Sequence, residues 1–365
     1  MINLTRLLVW LGVNMTDTST IKELEEAMSE IDYERKMWAR AHKDTPLTAK
    51  DIAERDAMDV YAQRIWDDLQ RFKQRVFTEV SESDASTSYP INKIIWSGKT
   101  AYCENVVFAE SPTYGRMLFL DGELQSAAAD ERIYHESLVH PVLVATDARR
   151  VLVVGGGEGA TVREVLRWPG IDVTWVDIDT ELVDLCKEHL MWAAHVYDNP
   201  RVRFIGKDIA TALPDLGQFD AIILDLPDPD GDTGFLYSTE FWSLLKTHLT
   251  ERGRIVTHVG PVRPFGNIGE GLHRVWNGAQ SAGIDPWIDG FYSIIIPSFQ
   301  GSWGFWISEP CPLGVERSVI RLPHSLHVVD AEQLVQWALP PLVWRKVLGA
   351  QVQTSHAVGH CQQYA

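Results

Sequence analysis

No part of this chain restricts its fold more than Val151–Glu164, VLVVGGGEGATVRE. Val151-Leu152-Val153-Val154 is continuously apolar and mostly β-branched, the pattern of a parallel strand covered on both faces. Gly155, Gly156, Gly157 and Gly159 let the backbone turn sharply and approach a ligand closely, and Thr161–Arg167 has helix-forming composition. Taken alone, a tight strand-to-helix turn explains these glycines as well as a binding loop does.

The following segments decide between the two. Val173–Val176 runs into Asp177-Ile178-Asp179, about twenty residues past the glycines, where an acid can hold ribose hydroxyls. Val202–Ile205 runs into Gly206-Lys207-Asp208, and Ala221–Leu224 into Asp225-Leu226-Pro227-Asp228-Pro229. Successive strands thus deliver acids at their carboxyl ends, the edge where open α/β sheets bind ligands. Tyr292–Ile296 and Trp303–Ile307 predict a closing antiparallel hairpin. The expected fold is α/β, a Rossmann-like doubly wound sheet of the class I methyltransferase type.

The placement of the first acid narrows the ligand. Methyltransferases of this fold usually carry a carboxylate on the first strand, just ahead of the glycines, for the methionine ammonium; here those positions are Val153 and Val154. Glu158 lies inside the loop instead, which suits a donor that has lost its own carboxylate and presents a bare aminopropyl ammonium.

Leu120-Asp121-Gly122-Glu123-Leu124-Gln125, Asp130-Glu131-Arg132-Ile133-Tyr134-His135-Glu136, the GGGEG loop, Asp177-Ile178-Asp179 and Asp225-Leu226-Pro227-Asp228-Pro229 occur in one order. In these motifs the chain, over roughly residues 95–310, resembles the polyamine aminopropyltransferases, the spermidine synthase family. Glu158 in place of the family's usual aspartate, Asp177 in place of glutamate, and Ile296-Pro297-Ser298-Phe299 ahead of Trp303-Gly304-Phe305 resemble the thermospermine synthases. The resemblance implies decarboxylated S-adenosylmethionine as co-substrate and no metal. It implies that Glu158 holds the aminopropyl amine, Asp177 the ribose and Asp208 the adenine amino group, with the glycines and Gln125 also on the cofactor side. Asp225 is then the acid-base residue, Asp228 and Tyr134 position the acceptor amine, and His135, Phe299 and Trp303 line the acceptor side. Such an acceptor is protonated at neutral pH, so a base within hydrogen-bond reach of its nitrogen is required, and Asp225 fits that task.

Departures from the family pattern bear on the acceptor. Tyr102 is followed by Cys103-Glu104 where glutamine is common, Phe299 stands near the family's second tyrosine, and His258 replaces a glutamine after the fifth strand. The thermospermine-like features favour spermidine over putrescine as acceptor. A methyltransferase releasing adenosylhomocysteine and a non-catalytic polyamine-binding protein are the competing readings. Glu158 with Val153 argues against the first, and the joint presence of Asp225 and Asp228 against the second.

The 365 residues, 45% hydrophobic, suffice for one large α/β domain with appendages. The expected division is 1–88, a helical extension and linker; 89–145, a small antiparallel β domain that the resemblance connects with dimerisation; 146–310, the Rossmann-like catalytic domain; and 311–365, a helical tail. In the extension, Ile21, Leu24, Met28, Ile31 and Trp38 follow a Thr20/Glu23 capping box, and Met58, Ile65, Leu69, Phe72 and Val76 follow Thr48 at helical spacing, which predicts an α-hairpin. Ser81–Ser88 has linker composition, Asp230–Tyr237 the glycine content of either a mobile lid or a connector that does no gating, and Asp330–Leu339 the pattern of a short helix ended by Pro340-Pro341.

A net charge of −17 with no basic run argues against nucleic acid and fits a small polycationic amine. Leu7–Val13 is too short to span a bilayer and lacks a clear cleavage site, while Met15 offers an alternative start; no membrane partner is expected. Cys103, Cys186, Cys311 and Cys361 show neither metal-ligand spacing nor a disulfide framework, so a reducing cytoplasm is expected. The expected assembly is a homodimer or homotetramer.

Overall fold

The computed structural model describes residues 21–43, 45–73, 76–80, 86–227, 235–262, 270–284, 290–308 and 321–337. Leu7–Val13, Met15, Thr20, Asp228, most of the expected lid, Cys311, Cys361 and Pro340-Pro341 lie outside the described residues. The chain forms two compact units, residues up to Lys99 with Cys103–Ala129, and Thr100–Tyr102 with Asp130 onward. The break after residue 129 comes one helix before the expected boundary at 145, because helix Glu131–Ala145 buries its apolar face within the second unit's core.

In the first unit, α1 (Ile21–Ala41) and α2 (Ala49–Lys73) form the expected hairpin, with Ala27, Ile31 and Trp38 packed against Met58, Tyr61, Ala62 and Ile65. A reciprocal box starts α2: Asp51 N donates to Thr48 Oγ1 (3.3 Å) and Thr48 N donates to Asp51 Oδ2 (2.7 Å). Val76 does not extend this helix, as its spacing suggested, but opens strand β1 (Val76–Val80), which pairs antiparallel with β2 (Ser86–Pro90). Ser86–Ser88 are therefore strand and not linker; the β-ladder and a Tyr89 hydroxyl that donates to Glu79 Oε2 (3.1 Å) override their polar composition. Strands β3 (Lys93–Gly98), β4 (Val106–Ser111), β5 (Gly115–Leu120) and β6 (Glu123–Ala127) follow as an antiparallel meander. Asp121 and Gly122, both at positive φ, close the β5–β6 hairpin with the two residues such a turn requires.

The second unit begins with α3 (Glu131–Ala145). Alternation of strand and helix follows: β7 (Arg150–Gly155), α4 (Ala160–Leu166), β8 (Asp172–Asp177), α5 (Thr180–His189), β9 (Val202–Gly206), α6 (Ile209–Ala212), β10 (Phe219–Asp225), α7 (Thr239–Thr247) and β11 (Leu249–Pro261). Helix α8 (Glu270–Ser281) precedes the hairpin β12 (Phe291–Ile296) and β13 (Gly301–Ile307), and α9 (Ala331–Trp337) ends the described chain. The sheet order is β12-β13-β11-β10-β7-β8-β9, parallel from β11 to β9 and antiparallel across β13 and β12. Val151 and Val153 of β7 join Leu138, Val139 and Val142 of α3, while Leu152 and Val154 join Phe241 and Trp242 of α7. Both faces of β7 are therefore covered, and its unbroken apolar run follows from that. Strand order reverses between β7 and β10, which opens a crevice at their carboxyl ends.

Helix α3 is fastened at three places. The buried Glu136 carboxylate accepts N–H bonds from His327, Val328 and Val329 (2.8–3.2 Å), and the Tyr292 hydroxyl of β12 donates to Ser137 O (2.7 Å). Toward α4, Arg163 forks onto Glu131 (2.8 and 2.9 Å) and donates through Nε to Glu164 Oε1 (2.8 Å), while Glu164 Oε2 lies 3.1 Å from His140 Nε2. Burial alone would raise the pKa of both glutamates. His135 and Arg163 around Glu131, and His140 and Arg163 around Glu164, more than offset it and hold each at about 2.

These depressed values contribute stability that is complete above the ordinary pKa of 4.5 and lost as pH falls toward 2. Acid unfolding followed by near-UV circular dichroism is expected to set in below about pH 4.5. Glu164→Gln leaves a buried guanidinium half-paired and is expected to cost about 3–5 kcal/mol at neutral pH, with the deficit narrowing on acidification.

Candidate active site

The site is built where β7 and β10 run side by side. Asp225, the last residue of β10, pairs with Gly155, and Gly156 N donates to the Asp225 carbonyl (2.7 Å). Gly155 and Gly156 adopt φ of 78° and 68°, in the left-handed region. A Cβ on Gly155 would overlap the Asp225 carbonyl oxygen, and one on Gly156 would stand 2.6 Å from Asp225 Oδ2. The glycines are thus required by closeness to this carboxylate as much as by the turn. Asp225 Oδ1 accepts from the Tyr134 hydroxyl (2.9 Å) and Oδ2 from the Thr161 hydroxyl (2.6 Å). A carboxylate has about four acceptor positions, so two remain for an incoming N–H.

Glu158 sits in the loop beside His135 of α3, with Oε1 2.6 Å from His135 Nε2. Its other oxygen, Oε2, is buried and, among the described residues, has no hydrogen-bond partner. A buried carboxylate oxygen left unpaired costs roughly 1–3 kcal/mol or more, so the position calls for a hydrogen-bond donor. An ammonium group meets that requirement. Burial disfavours the His135 cation, but the carboxylates of Glu158 and Glu131 reverse the balance and hold its pKa well above the ordinary range.

Asp177 ends β8, accepts from Asp179 N (2.9 Å), and lies with Oδ2 3.3 Å from where a Cβ on Gly157 would be. Burial, with Asp179 and Asp225 nearby, raises its pKa to about 7. Asp179 caps α5 by accepting from Leu182 N (3.0 Å) and also takes the Thr100 hydroxyl. Asp208 is exposed and caps α6 by accepting from Thr211 N (3.1 Å). Glu158, Asp177 and Asp225 therefore gather around one loop, with Asp208 at the end of the next strand but one.

On the other side of Tyr134 stands an aromatic wall. The Tyr134 ring lies 5.9 Å from His258, 6.3 Å from Phe299 and 5.5 Å from Phe305; Phe299 is 4.6 Å from Trp303, and His258 stacks on Trp303 at 6.0 Å. Asp130 fixes this wall to α3 by accepting from Ser298 N (2.7 Å). Gln125 lies on β6 of the first unit, where its amide donates to Glu123 O (3.4 Å). Among the described residues no group of three or more His, Cys, Asp or Glu could hold a metal ion.

Sequence reasoning missed Thr161, the anchoring role of Asp130, and the Glu131–Arg163 pair. Charged residues at 163 and 164 within the apolar run Val162, Val165, Leu166 were a readable signal, because such positions in a buried helix demand partners.

The family described as spermine/spermidine synthase domain matches residues 131–263, and the spermidine synthase tetramerisation domain matches residues 75–127. A polyamine aminopropyltransferase of Sulfolobus acidocaldarius is 37% identical over 263 residues, covering 67% of this chain and 83% of that protein. Polyamine aminopropyltransferase 2 of Hyperthermus butylicus is 37% identical over 297 residues, covering 76% and 94%. A solved spermidine synthase in complex with the transition state analogue AdoDATO superposes with a TM-score of 0.67 at 22% identity, covering 76% of this chain and 96% of its own. The spermidine synthase of Thermotoga maritima gives 0.66 at 21%, covering 76% and 95%. The matched family domains, and relatives aligned over most of their length, lead to one conclusion: the chain belongs to the spermidine synthase family of polyamine aminopropyltransferases.

Proposed function

We propose that this enzyme transfers the aminopropyl group of decarboxylated S-adenosylmethionine to a polyamine nitrogen and releases methylthioadenosine. The observation that carries the reading is the unpartnered, buried Glu158 Oε2 inside the glycine loop, set against the apolar, fully buried Val153 and Val154 on the strand. That arrangement offers a counter-charge to an aminopropyl ammonium and none at the strand positions that serve an intact methionine group. Asp177 would take the ribose and Asp208 the adenine amino group, with the loop glycines giving the donor room.

In the reaction the acceptor amine gives its proton to Asp225, its nitrogen forms a bond to the methylene carbon beside the sulfonium, and the carbon–sulfur bond breaks with its electron pair on sulfur. The sulfonium is an excellent leaving group, so alignment and the base are what the protein must provide. Tyr134 and Thr161 hold both Asp225 oxygens in place by donating to them, which fixes the base without neutralising it. Asp228 belongs to the acceptor side of this proposal by resemblance alone.

The wall formed by Phe299, Trp303 and His258 beside Tyr134 suits methylene chains and presents π faces to cationic amines. Phe299 supplies no hydroxyl for a terminal amine, which supports a longer acceptor such as spermidine and a thermospermine-like product. The match of residues 75–127 to a tetramerisation domain supports assembly as a homotetramer. No described helix is long and apolar enough to cross a membrane. A cytoplasmic setting is the proposal that agrees with the cysteine usage.

Three measurements test this reading. Mass spectrometry of products formed with decarboxylated or intact S-adenosylmethionine should show methylthioadenosine and an amine heavier by one aminopropyl group, with Asp225→Asn slowing turnover by about a hundred- to ten-thousand-fold. Adenosylhomocysteine as product would overturn it. Glu158→Gln removes a charged hydrogen-bond partner worth about 1.5–3 kcal/mol and should raise KM for the donor by roughly ten- to a hundredfold. In steady-state competition spermidine should outcompete putrescine; the reverse preference would assign the shorter acceptor.

A further inference from the structure

The buried polar groups of α3 and α4 form one ladder that ends on Glu158. Reading outward from the interior, Trp168 Nε1 donates to His140 Nδ1 (3.1 Å), His140 Nε2 meets Glu164 Oε2 (3.1 Å), and Arg163 bridges Glu164 and Glu131. Glu131 then meets His135 Nδ1 through Oε2 (3.0 Å) and its own carbonyl (2.7 Å), and His135 Nε2 meets Glu158 Oε1 (2.6 Å).

The two histidines differ in what their nitrogens face. His140 faces one donor and one acceptor, which fixes a neutral ring protonated on Nε2. Nδ1 of His135 faces the Glu131 carbonyl, which can only accept, and Nε2 faces the Glu158 carboxyl; with that group ionised both nitrogens carry protons and the ring is a cation. A neutral ring there would turn a lone pair on Glu131 or on Glu158.

We propose that Glu131 and Arg163 are positioning residues for the transfer reaction, acting through His135. Arg163 holds the Glu131 carboxylate by a two-pronged contact, Glu131 holds His135 as a doubly protonated ring, and the ring ties down Glu158 Oε1 so that Oε2 alone is presented to the donor ammonium. This inference rests on the assignment of Glu158 to the donor amine. It goes beyond that assignment by naming what keeps the carboxylate in one orientation in a loop whose glycines would otherwise let it move.

The charged groups around the ladder are consistent with this role. On its own helix His135 has Glu131, Arg132 and Tyr134; from the loop Glu158; from α4 Arg163 and Glu164, with Arg167 Nε 3.5 Å from Glu164 Oε2. Cys186 and Tyr197 bear on Glu158 from the far side, and burial pushes the pKa of each upward, so neither adds charge at neutral pH. Asp225 is reached through the hydroxyls of Tyr134 and Thr161, which carry no charge.

The test uses the full-length enzyme. Nitrogen-15 spectra of its imidazoles, with the His135 signal identified by its loss in His135→Gln, are expected to show both ring nitrogens protonated at about pH 8, where an ordinary histidine is neutral. A neutral His135 at that pH overturns the proposal. In Glu131→Gln the ring should titrate within the assay range, and KM for decarboxylated S-adenosylmethionine should rise at least about tenfold as pH rises through that new pKa, with kcat little changed. Arg163→Met should give the same pH-dependent pattern. A KM profile in Glu131→Gln parallel to wild type would show that Glu131 only supports the fold, and would overturn the proposal. The imidazole spectra read the ladder without turnover, so failure of the aminopropyl-transfer reading, seen in the products, is separately visible.

Discussion

The structure depends on the contact between the backbones of β7 and β10 at Gly155–Gly156 and Asp225. There the two central parallel strands are still paired, yet one has already turned away at positive φ, and the Asp225 side chain fills the place where a Cβ would be. The turn that starts α4 and the position of the Asp225 carboxylate are therefore a single event. Gly156 N donates to the Asp225 carbonyl while Thr161, one residue inside α4, donates to its carboxylate, so backbone and side chain of Asp225 are both held by the same short segment. Displacing any of the three moves the others.

Around this contact the second unit uses buried charge where apolar packing would have been simpler. Ion pairs in an interior repay their desolvation only when every partner is matched, and replacement by well-packed apolar residues is often neutral or stabilising. The α3–α4 ladder meets that condition at each rung and leaves only its last atom, Glu158 Oε2, unmatched. The stability cost of an incomplete ladder thus falls at the glycine loop.

Much of this was legible in the sequence, and what was missed has physical causes. The unbroken Val151–Val154 run identified a doubly covered strand because both of its faces do join separate cores. The Asp121-Gly122 turn and the Tyr292–Ile307 hairpin were readable from local chemistry alone. Val76 and Ser86–Ser88 were misread because their strand pairing is made by cross-strand hydrogen bonds, which periodicity and composition do not report. Asp225 and Glu158 could be picked out by motif, but Thr161, Asp130 and Arg163 act through distances of 32 to 168 positions along the chain, which no short motif records. Asp208 shows the reverse case, a residue whose cap to α6 is visible in the fold while its role toward a ligand is carried only by resemblance.

The bond from Ser298 N to Asp130 has a consequence for how such an enzyme can change over generations. The turn that carries Phe299 is anchored by a peptide N–H, a group every residue except proline possesses, and the anchoring carboxylate lies at the start of another element. The identity of residue 299 is thereby uncoupled from the placement of the loop that bears it. A single replacement at 299 can alter the polarity of the wall beside Tyr134 while the scaffold stays registered, so the lining of this cleft can change in small, structurally silent steps.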